Sequence, residues 1–131
     1  MENHLRIQRY IVIIFVVLAL AALGYLGMSV FQSYEQESNR HLIVSTLYEI
    51  GNNAQQYFEK QANQGGGGLS YENWLLPDKY KKTSAGSFSV ITKRKRVNIS
   101  GIGTLIGRNG ITNVRAIAKV DSSGIQVLII N

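Results

Sequence analysis

The sequence predicts an α+β fold in which one long N-terminal helix leads into a four-stranded antiparallel sheet. Three observations predict it. Residues 11–31 are apolar and carry no charge, residues 42–58 repeat apolar side chains at helical spacing, and residues 86–131 contain short β-branched runs separated by turn residues. The chain has 131 residues, so it has room for only one modest domain beside such a helix.

The first element is an apolar segment long enough to cross a membrane. Residues 11–31 read IVIIFVVLALAALGYLGMSVF, and a helix of about 21 residues spans roughly 30 Å of hydrocarbon. A cleaved signal peptide would have an apolar region about half as long, followed by small residues at the cleavage site. The polar sequence QSYEQESNR follows instead, so we expect the segment to be retained as a transmembrane helix over residues 10–31.

The charges that flank this segment predict its orientation. Arg6 and Arg9 precede it, whereas Glu35 and Glu37 follow it. Positively charged flanks are retained on the cytoplasmic side of a membrane. We therefore expect residues 1–9 to form a short basic cytoplasmic N-terminus, and the chain after the span to lie outside the inner membrane.

The helix is predicted to continue past the membrane over residues 32–64 as an amphipathic segment. No proline occurs between residues 10 and 63, so nothing in this stretch forces the helix to end. Apolar residues recur at steps of three and four from Leu42 and Ile43 onward, which is the pattern of a helix with one buried face. The residues expected to pack this face against the sheet are Leu47, Ile50, Ala54, Tyr57 and Phe58.

Four consecutive glycines then interrupt the helical pattern. Glycine loses more backbone entropy in a helix than other residues do, and it readily supplies the left-handed residue that ends a helix. A hinge or turn is expected at Gly65, Gly66, Gly67 and Gly68. The hinge and the loop after it span residues 65–85 and contain Trp74, Leu75 and Leu76, which we expect to tuck under the sheet as core residues.

Residues 86–131 are predicted to form the sheet. Four runs, SFSVITK, RVNISGIG, ITNVRAIAKV and IQVLII, are each bounded by turn residues. In the third run Val114 and Ala116 alternate with Arg115 and Lys119, which is the pattern of a half-buried antiparallel strand. The turns are short, so consecutive strands should form a meander whose apolar face is covered by the amphipathic helix.

No set of residues in the sequence points to catalysis or to a cofactor. There is no cysteine, and His4 and His41 lie on opposite sides of the predicted span. The eight acidic residues are scattered, and no serine lies in a G-x-S-x-G context. A transition-metal site needs several cysteine, histidine or carboxylate ligands close together. We therefore expect no enzyme activity, no metal, no cofactor and no small-molecule substrate.

One basic cluster has two interpretations. Lys93, Arg94, Lys95 and Arg96 are consecutive, in a chain whose net charge is +6. Such a cluster attracts polyanions in a salt-dependent way, so it is a candidate surface for weak polyanion binding. Charges at a hairpin tip also keep an exposed turn soluble and discourage edge-to-edge aggregation, and this second interpretation is favoured.

The order of these elements resembles that of type IV pilins and pseudopilins over the whole chain. Several short motifs are similar to those of a group of small pilin-like bacterial proteins. They are Ser38-Asn39-Arg40 after the span, Ala54-Gln55-Gln56-Tyr57 near the helix end, the four glycines, Trp74, and Gly103-Thr104 followed by Gly107 and Gly110. Two features usual in pilins are missing, because no glycine precedes the span and no glutamate lies inside it.

The resemblance implies a structural subunit of an extracellular type IV pilus-like filament in which the apolar N-terminal helices pack against each other. The residues expected in the filament core are Ile11, Ile14, Phe15, Leu18, Ala21, Ala22, Tyr25 and Phe31. The implied partners are other copies of this chain, the inner membrane before assembly, and the pilus assembly machinery. Two alternatives stay open: a minor pseudopilin of a secretion system, and a bitopic inner-membrane protein with a periplasmic α+β module.

Overall fold

A computed structural model describes all residues from Met1 to Asn131 and confirms the predicted α+β fold, with one long helix before a four-stranded antiparallel sheet. The elements are α1 (Glu2–Glu59), a 3-10 turn (Ala62–Gln64), α2 (Asp78–Lys81), β1 (Gly86–Lys93), β2 (Arg96–Ile106), β3 (Asn113–Asp121) and β4 (Gly124–Ile129). The chain divides into two compact units, Met1–Glu35 and Gln36–Asn131, and residues of α1 belong to both.

Helix α1 starts earlier and ends earlier than the sequence predicts. It begins at Glu2, so the basic residues before the span are also helical. Residues 1–9 contain neither glycine nor proline, so nothing separates them from the helix that follows. The helix ends at Glu59 rather than at residue 64, and Ala62–Gln64 forms the 3-10 turn instead.

The glycine segment closes the end of α1. Gly67 N donates to Tyr57 O at 2.7 Å and Leu69 N donates to Phe58 O at 2.8 Å. These bonds satisfy backbone carbonyls that the last turn of a helix leaves without partners. Gly65 has φ +84°, and a Cβ on Gly67 would overlap a neighbouring backbone carbonyl. The glycines predicted to form a hinge or turn therefore cap the end of α1.

The strands follow one another in the order β1-β2-β3-β4, and each neighbouring pair is antiparallel. The predicted meander is confirmed. The turn between β1 and β2 is tight, with Lys93 paired to Arg96, and the turn between β3 and β4 is equally tight, with Asp121 paired to Gly124. The β2–β3 register shifts between Ile102 and Ile106, next to the longer loop that joins these strands.

The hydrophobic core lies between residues 43–58 of α1 and one face of the sheet. Its members from these elements are Ile43, Leu47, Ile50, Ala54 and Phe58 on the helix, and Phe88, Val97, Ile99, Val114, Ala116, Ala118 and Val120 on the strands. A Cβ on Gly101 would come within 3.0 Å of Ile43 Cγ2, so small residues in the sheet allow the helix to approach closely. Tyr57 is only partly buried, and Leu42 is 50% exposed.

The loop before the sheet contributes four further core residues, which are Tyr71, Trp74, Leu76 and Ala85. Trp74 and Leu76 are buried as predicted, and Trp74 Nε1 donates to Asn53 Oδ1 at 3.1 Å. The prediction for Leu75 is wrong, because its side chain is 82% exposed. Tyr71 is fully buried, and its ring stacks on Phe58 with centroids 4.4 Å apart.

Candidate functional site

The apolar part of α1 is the first candidate surface, and nothing in the chain covers it. This segment is long and apolar enough to cross a membrane, and none of its most apolar stretch is buried. The eight residues expected in a filament core are all exposed, and Tyr25 is 77% exposed. Burying a side chain of this size contributes roughly 1.5–3 kcal/mol. A segment this apolar is therefore suited to a bilayer or to contact with another apolar surface.

The expected core residues do not form the only apolar face of this helix. At about 100° per residue, all of them except Phe31 fall in a stripe about 120° wide. Phe31 lies on the other side, on the same face as Gly24 and Gly27. A Cβ added at either glycine would meet no atom within 4 Å apart from the helix's own backbone. The remaining faces are apolar as well, which is typical of a helix surrounded by apolar neighbours on every side.

Two serine side chains at the C-terminal end of this segment find partners within the helix itself. Ser29 Oγ donates to Leu26 O at 2.9 Å, and Ser33 Oγ donates to Ser29 O at 3.0 Å. Hydroxyl groups bonded in this way need no water. They are therefore compatible with hydrocarbon or with a dry helix bundle.

The second candidate site is the Ser38-Asn39-Arg40 motif, which lies near the start of the unit Gln36–Asn131. Asn39 is buried, and its Nδ2 donates to Ala85 O at 2.8 Å and to Thr104 Oγ1 at 3.5 Å. Its Oδ1 accepts from Leu105 N at 3.5 Å. A Cβ on Gly103 would overlap this oxygen. One amide side chain thus joins α1 to the start of β1 and to the irregular end of β2.

The neighbouring Arg40 belongs to a charged cluster that also involves the loop after β2. Arg40 is buried and pairs with Glu37, which also pairs with Arg108 Nη2 at 3.2 Å. Desolvation raises the pKa of Glu37, but the hydrogen bond from Arg108 and the charges of Arg40, Arg108 and His41 outweigh it and lower the pKa overall. Arg40 Nε and Nη2 have no hydrogen-bond partner. The cluster therefore holds the β2–β3 loop against α1 while leaving part of one guanidinium unsatisfied.

The apolar pattern of the sequence does not predict the burial of Asn39 and Arg40, although their spacing is consistent with it. Both precede Ile43 by the three or four residues that place side chains on one helix face, and Ile43 precedes Leu47 by four. The buried stripe therefore begins with polar residues. Because Asn39 and Arg40 are polar, a search for apolar residues at helical spacing does not include them in the buried stripe.

The basic cluster at Lys93–Arg96 forms the tight turn between β1 and β2, and all four residues are exposed. Lys95 is anchored, because its Nζ donates to Leu69 O at 3.1 Å and lies 5.6 Å from the centre of the Phe58 ring. Tyr71 N donates to Arg94 O at 2.9 Å. The turn is therefore fastened to the loop that follows the glycine cap.

The remaining clefts hold no converging set of reactive groups. One cleft, of about 650 Å³, is mainly apolar and lies between the Trp74 loop and β1. Its charged residues, Asp78 and Lys81, pair with each other at 2.6 Å. The hydrogen bond and the charge of Lys81 lower the pKa of Asp78. No group of three or more histidine, cysteine, aspartate or glutamate side chains lies together.

Comparison with protein family models, with curated proteins and with solved structures found no match to this chain. The function of the chain is therefore inferred from its own residues and geometry.

Proposed function

We propose that this chain is the structural subunit of an extracellular type IV pilus-like filament and that it polymerises by packing its apolar N-terminal helices. The observation that carries the proposal is an apolar helix that its own chain leaves uncovered, continued by helix into a folded α+β unit. Outside a bilayer such a helix needs other apolar surface. Identical helices of neighbouring subunits supply that surface.

Before assembly, the subunit resides in the inner membrane. Arg6 and Arg9 then face the cytoplasm and the sheet faces the outside. Transfer from lipid into a helix bundle exchanges one apolar surrounding for another, so close packing rather than hydrophobicity decides whether helices associate. Gly24 and Gly27 leave open space beside the helix where a neighbour can approach.

A filament also requires contacts that do not close on themselves. When two different patches of one subunit meet head to tail, the result is an open helical polymer. An apolar helix without one preferred face suits this geometry, because it touches several neighbours at once. The folded units then form the outer surface of the fibre. The role is structural, with no catalysis.

The proposal is tested by electron microscopy of the sheared extracellular fraction, with mass spectrometry of the N-terminal peptide in the same sample. Thin fibres that contain this chain are expected. The test variant is Ala21→Lys, which would place an unpaired ammonium in the helix bundle at a cost of several kcal/mol. Ala21→Leu is the matched control, because it adds bulk without charge.

Membrane insertion must be measured for both variants. One lysine in so apolar a segment opposes insertion by only about 3 kcal/mol, so Ala21→Lys should still be found in the membrane fraction. We expect it to form no fibres, while Ala21→Leu forms them. Normal fibres from Ala21→Lys would contradict packing of this helix in the filament core.

One observation favours a second candidate, a bitopic inner-membrane protein with an external α+β module. The segment before the span has no glycine and the span has no glutamate, so two features usual in pilins are missing. The same experiment separates the candidates. Recovery of the chain only in the membrane pellet, with no fibres in the sheared fraction, would support the bitopic protein.

A further inference from the structure

The two tight turns at one end of the sheet border a shallow, open depression, which we call the basic cleft. The register places Lys93 opposite Arg96 and Val97 opposite Val120, so the β1–β2 and β3–β4 turns lie side by side. The cleft has a volume of about 460 Å³. It is lined by Lys93, Lys95, Arg96, Asp121, Ser122 and Ser123.

The basic cleft carries three positive side chains and one negative side chain, so its net charge is positive. None of its basic side chains forms an ion pair within 4.0 Å. Its one acid, Asp121, accepts hydrogen bonds from the N and Oγ of Ser123 instead. These bonds lower the pKa of Asp121, with smaller contributions from the Gly124 N–H and the charge of Arg96. One oxygen of this carboxylate, Oδ1, therefore accepts hydrogen bonds within its own turn.

The backbone of the basic cleft is held in place before any ligand arrives. The carbonyl of Arg94 accepts from Tyr71 N at 2.9 Å, and Lys95 Nζ donates to Leu69 O at 3.1 Å. Tyr71 is itself fully buried against Phe58. A preorganised site loses less conformational entropy on binding than a mobile one. A turn that served only for solubility would not need these anchors.

The lining selects among anionic ligands. Lysine, arginine and serine side chains are the groups that contact phosphate oxygens in protein–DNA complexes. The cleft offers no aromatic ring on which an unpaired base could stack, and no apolar side chain to receive a lipid chain. The lining therefore suits contact with the charged backbone of a polyanion rather than with bases or lipid chains.

We propose that the basic cleft binds the sugar–phosphate backbone of double-stranded DNA without sequence preference. This inference goes beyond the proposed filament function and does not depend on it, because the cleft is complete in one subunit. In a fibre the cleft would recur along the surface, and repeated copies would raise the overall affinity through effective concentration.

The proposal is tested on the full-length chain in nanodiscs of zwitterionic lipid. Fluorescence anisotropy with a labelled 30-base-pair duplex of mixed sequence measures the affinity between 50 and 200 mM salt. With one phosphate contact each from Lys93, Lys95 and Arg96, the slope of log K against log salt should be about −2.7. The affinity should then fall about forty-fold between 50 and 200 mM salt. Two unrelated duplex sequences should give the same affinity.

The double variant Lys93→Ala/Arg96→Ala should reduce the slope to about −0.9, so that affinity falls only about 3.5-fold over the same range. Lys79→Ala/Lys82→Ala removes the same charge at exposed positions outside the cleft, and it should leave the slope unchanged. Lys95 is left in place because it anchors the turn. Unchanged circular dichroism verifies that each variant is folded.

Three outcomes would overturn the proposal. The first is no salt-dependent binding of the duplex by the unmodified chain. The second is an equal loss of affinity in the two double variants, which would make net charge the cause. The third is binding of heparin or of anionic vesicles in the absence of duplex binding, which would assign the cleft to another polyanion. Because each measurement uses single subunits, none of them bears on whether fibres form.

Discussion

The contact between Asn39 and Gly103 gives a sharp prediction about how α1 is fixed to the sheet. A Cβ on Gly103 would overlap Asn39 Oδ1 and lie 3.0 Å from Val114 Cβ. The variant Gly103→Ala must therefore displace the Asn39 side chain and break its hydrogen bonds. The variant Asn39→Ala removes those same bonds directly. Both substitutions should lower the free energy of unfolding because both remove the hydrogen bonds of the Asn39 side chain.

The structure gives the magnitudes. In Asn39→Ala, Leu105 N loses its partner, whereas Ala85 O keeps the bond from Thr104 N at 3.1 Å. We expect a cost of about 2 kcal/mol. Gly103→Ala adds overpacking to that loss, for a total of about 3 kcal/mol. The double variant should also cost about 3 kcal/mol, so the coupling between the sites is about 2 kcal/mol.

Thermal unfolding of the full-length chain in detergent measures these costs through the fluorescence of Trp74, which is 4% exposed when folded. For a domain of this size, 1 kcal/mol shifts Tm by roughly 4–8 °C. Ser100→Ala, on the outer face of β2, is the control and should change stability by less than about 0.5 kcal/mol. If the costs of Asn39→Ala and Gly103→Ala simply add, the side chain is not displaced and the reasoning is refuted.

Three further predictions use the same unfolding assay. Phe58→Ala removes the ring stacked on Tyr71 and should cost about 3–5 kcal/mol; a loss below 1 kcal/mol would contradict its place in the core. Gly67→Ala places a Cβ against the backbone carbonyl of Ser70 and should cost at least about 1–3 kcal/mol through overpacking, which a neutral result would disprove. Hydrogen bonds from Ser123 lower the pKa of Asp121 below its ordinary value of 3.8. The carboxylate therefore stabilises the fold above pH 3.8, and this stabilisation is lost as the pH falls through the lowered pKa of the folded state. Asp121→Asn should therefore lose less stability than the unmodified chain on acidification below pH 3.8; parallel losses would show that the bonds are absent.

Periodicity predicted the main elements because it is a local property of the sequence. The alternation in β3 indicated which side chains face inward, and Val114, Ala116, Ala118 and Val120 are fully buried. The continuous apolar and amphipathic pattern indicated one helix, and the short turns indicated a meander. The errors lie at boundaries and in the irregular loop. Leu75 follows Trp74 directly but points outward, and hydrophobicity alone does not encode that direction.

Other features depend on residues far apart in the sequence. Gly51 would be judged a weak point in a helix from propensity alone, yet a Cβ there would lie 2.8 Å from Ile125 Cδ1, so the glycine makes room for β4. The basic cluster was visible in the sequence, but the cleft also needs Asp121 and Ser122 from another turn. Only the register of the folded sheet places the two turns together.

The two units obtain their stability from different surroundings, and this separates the effects of mutations. The core of Gln36–Asn131 is buried by the chain itself, so Phe58→Ala should lower Tm in any environment yet permit fibres well below that temperature. The apolar side chains of Met1–Glu35 are covered by nothing in the chain, so Ala21→Lys should abolish fibres and leave the fluorescence of Trp74 unchanged. If both variants lost the same property, the helix would be coupled to the folding of the sheet and would not act as an independent assembly element.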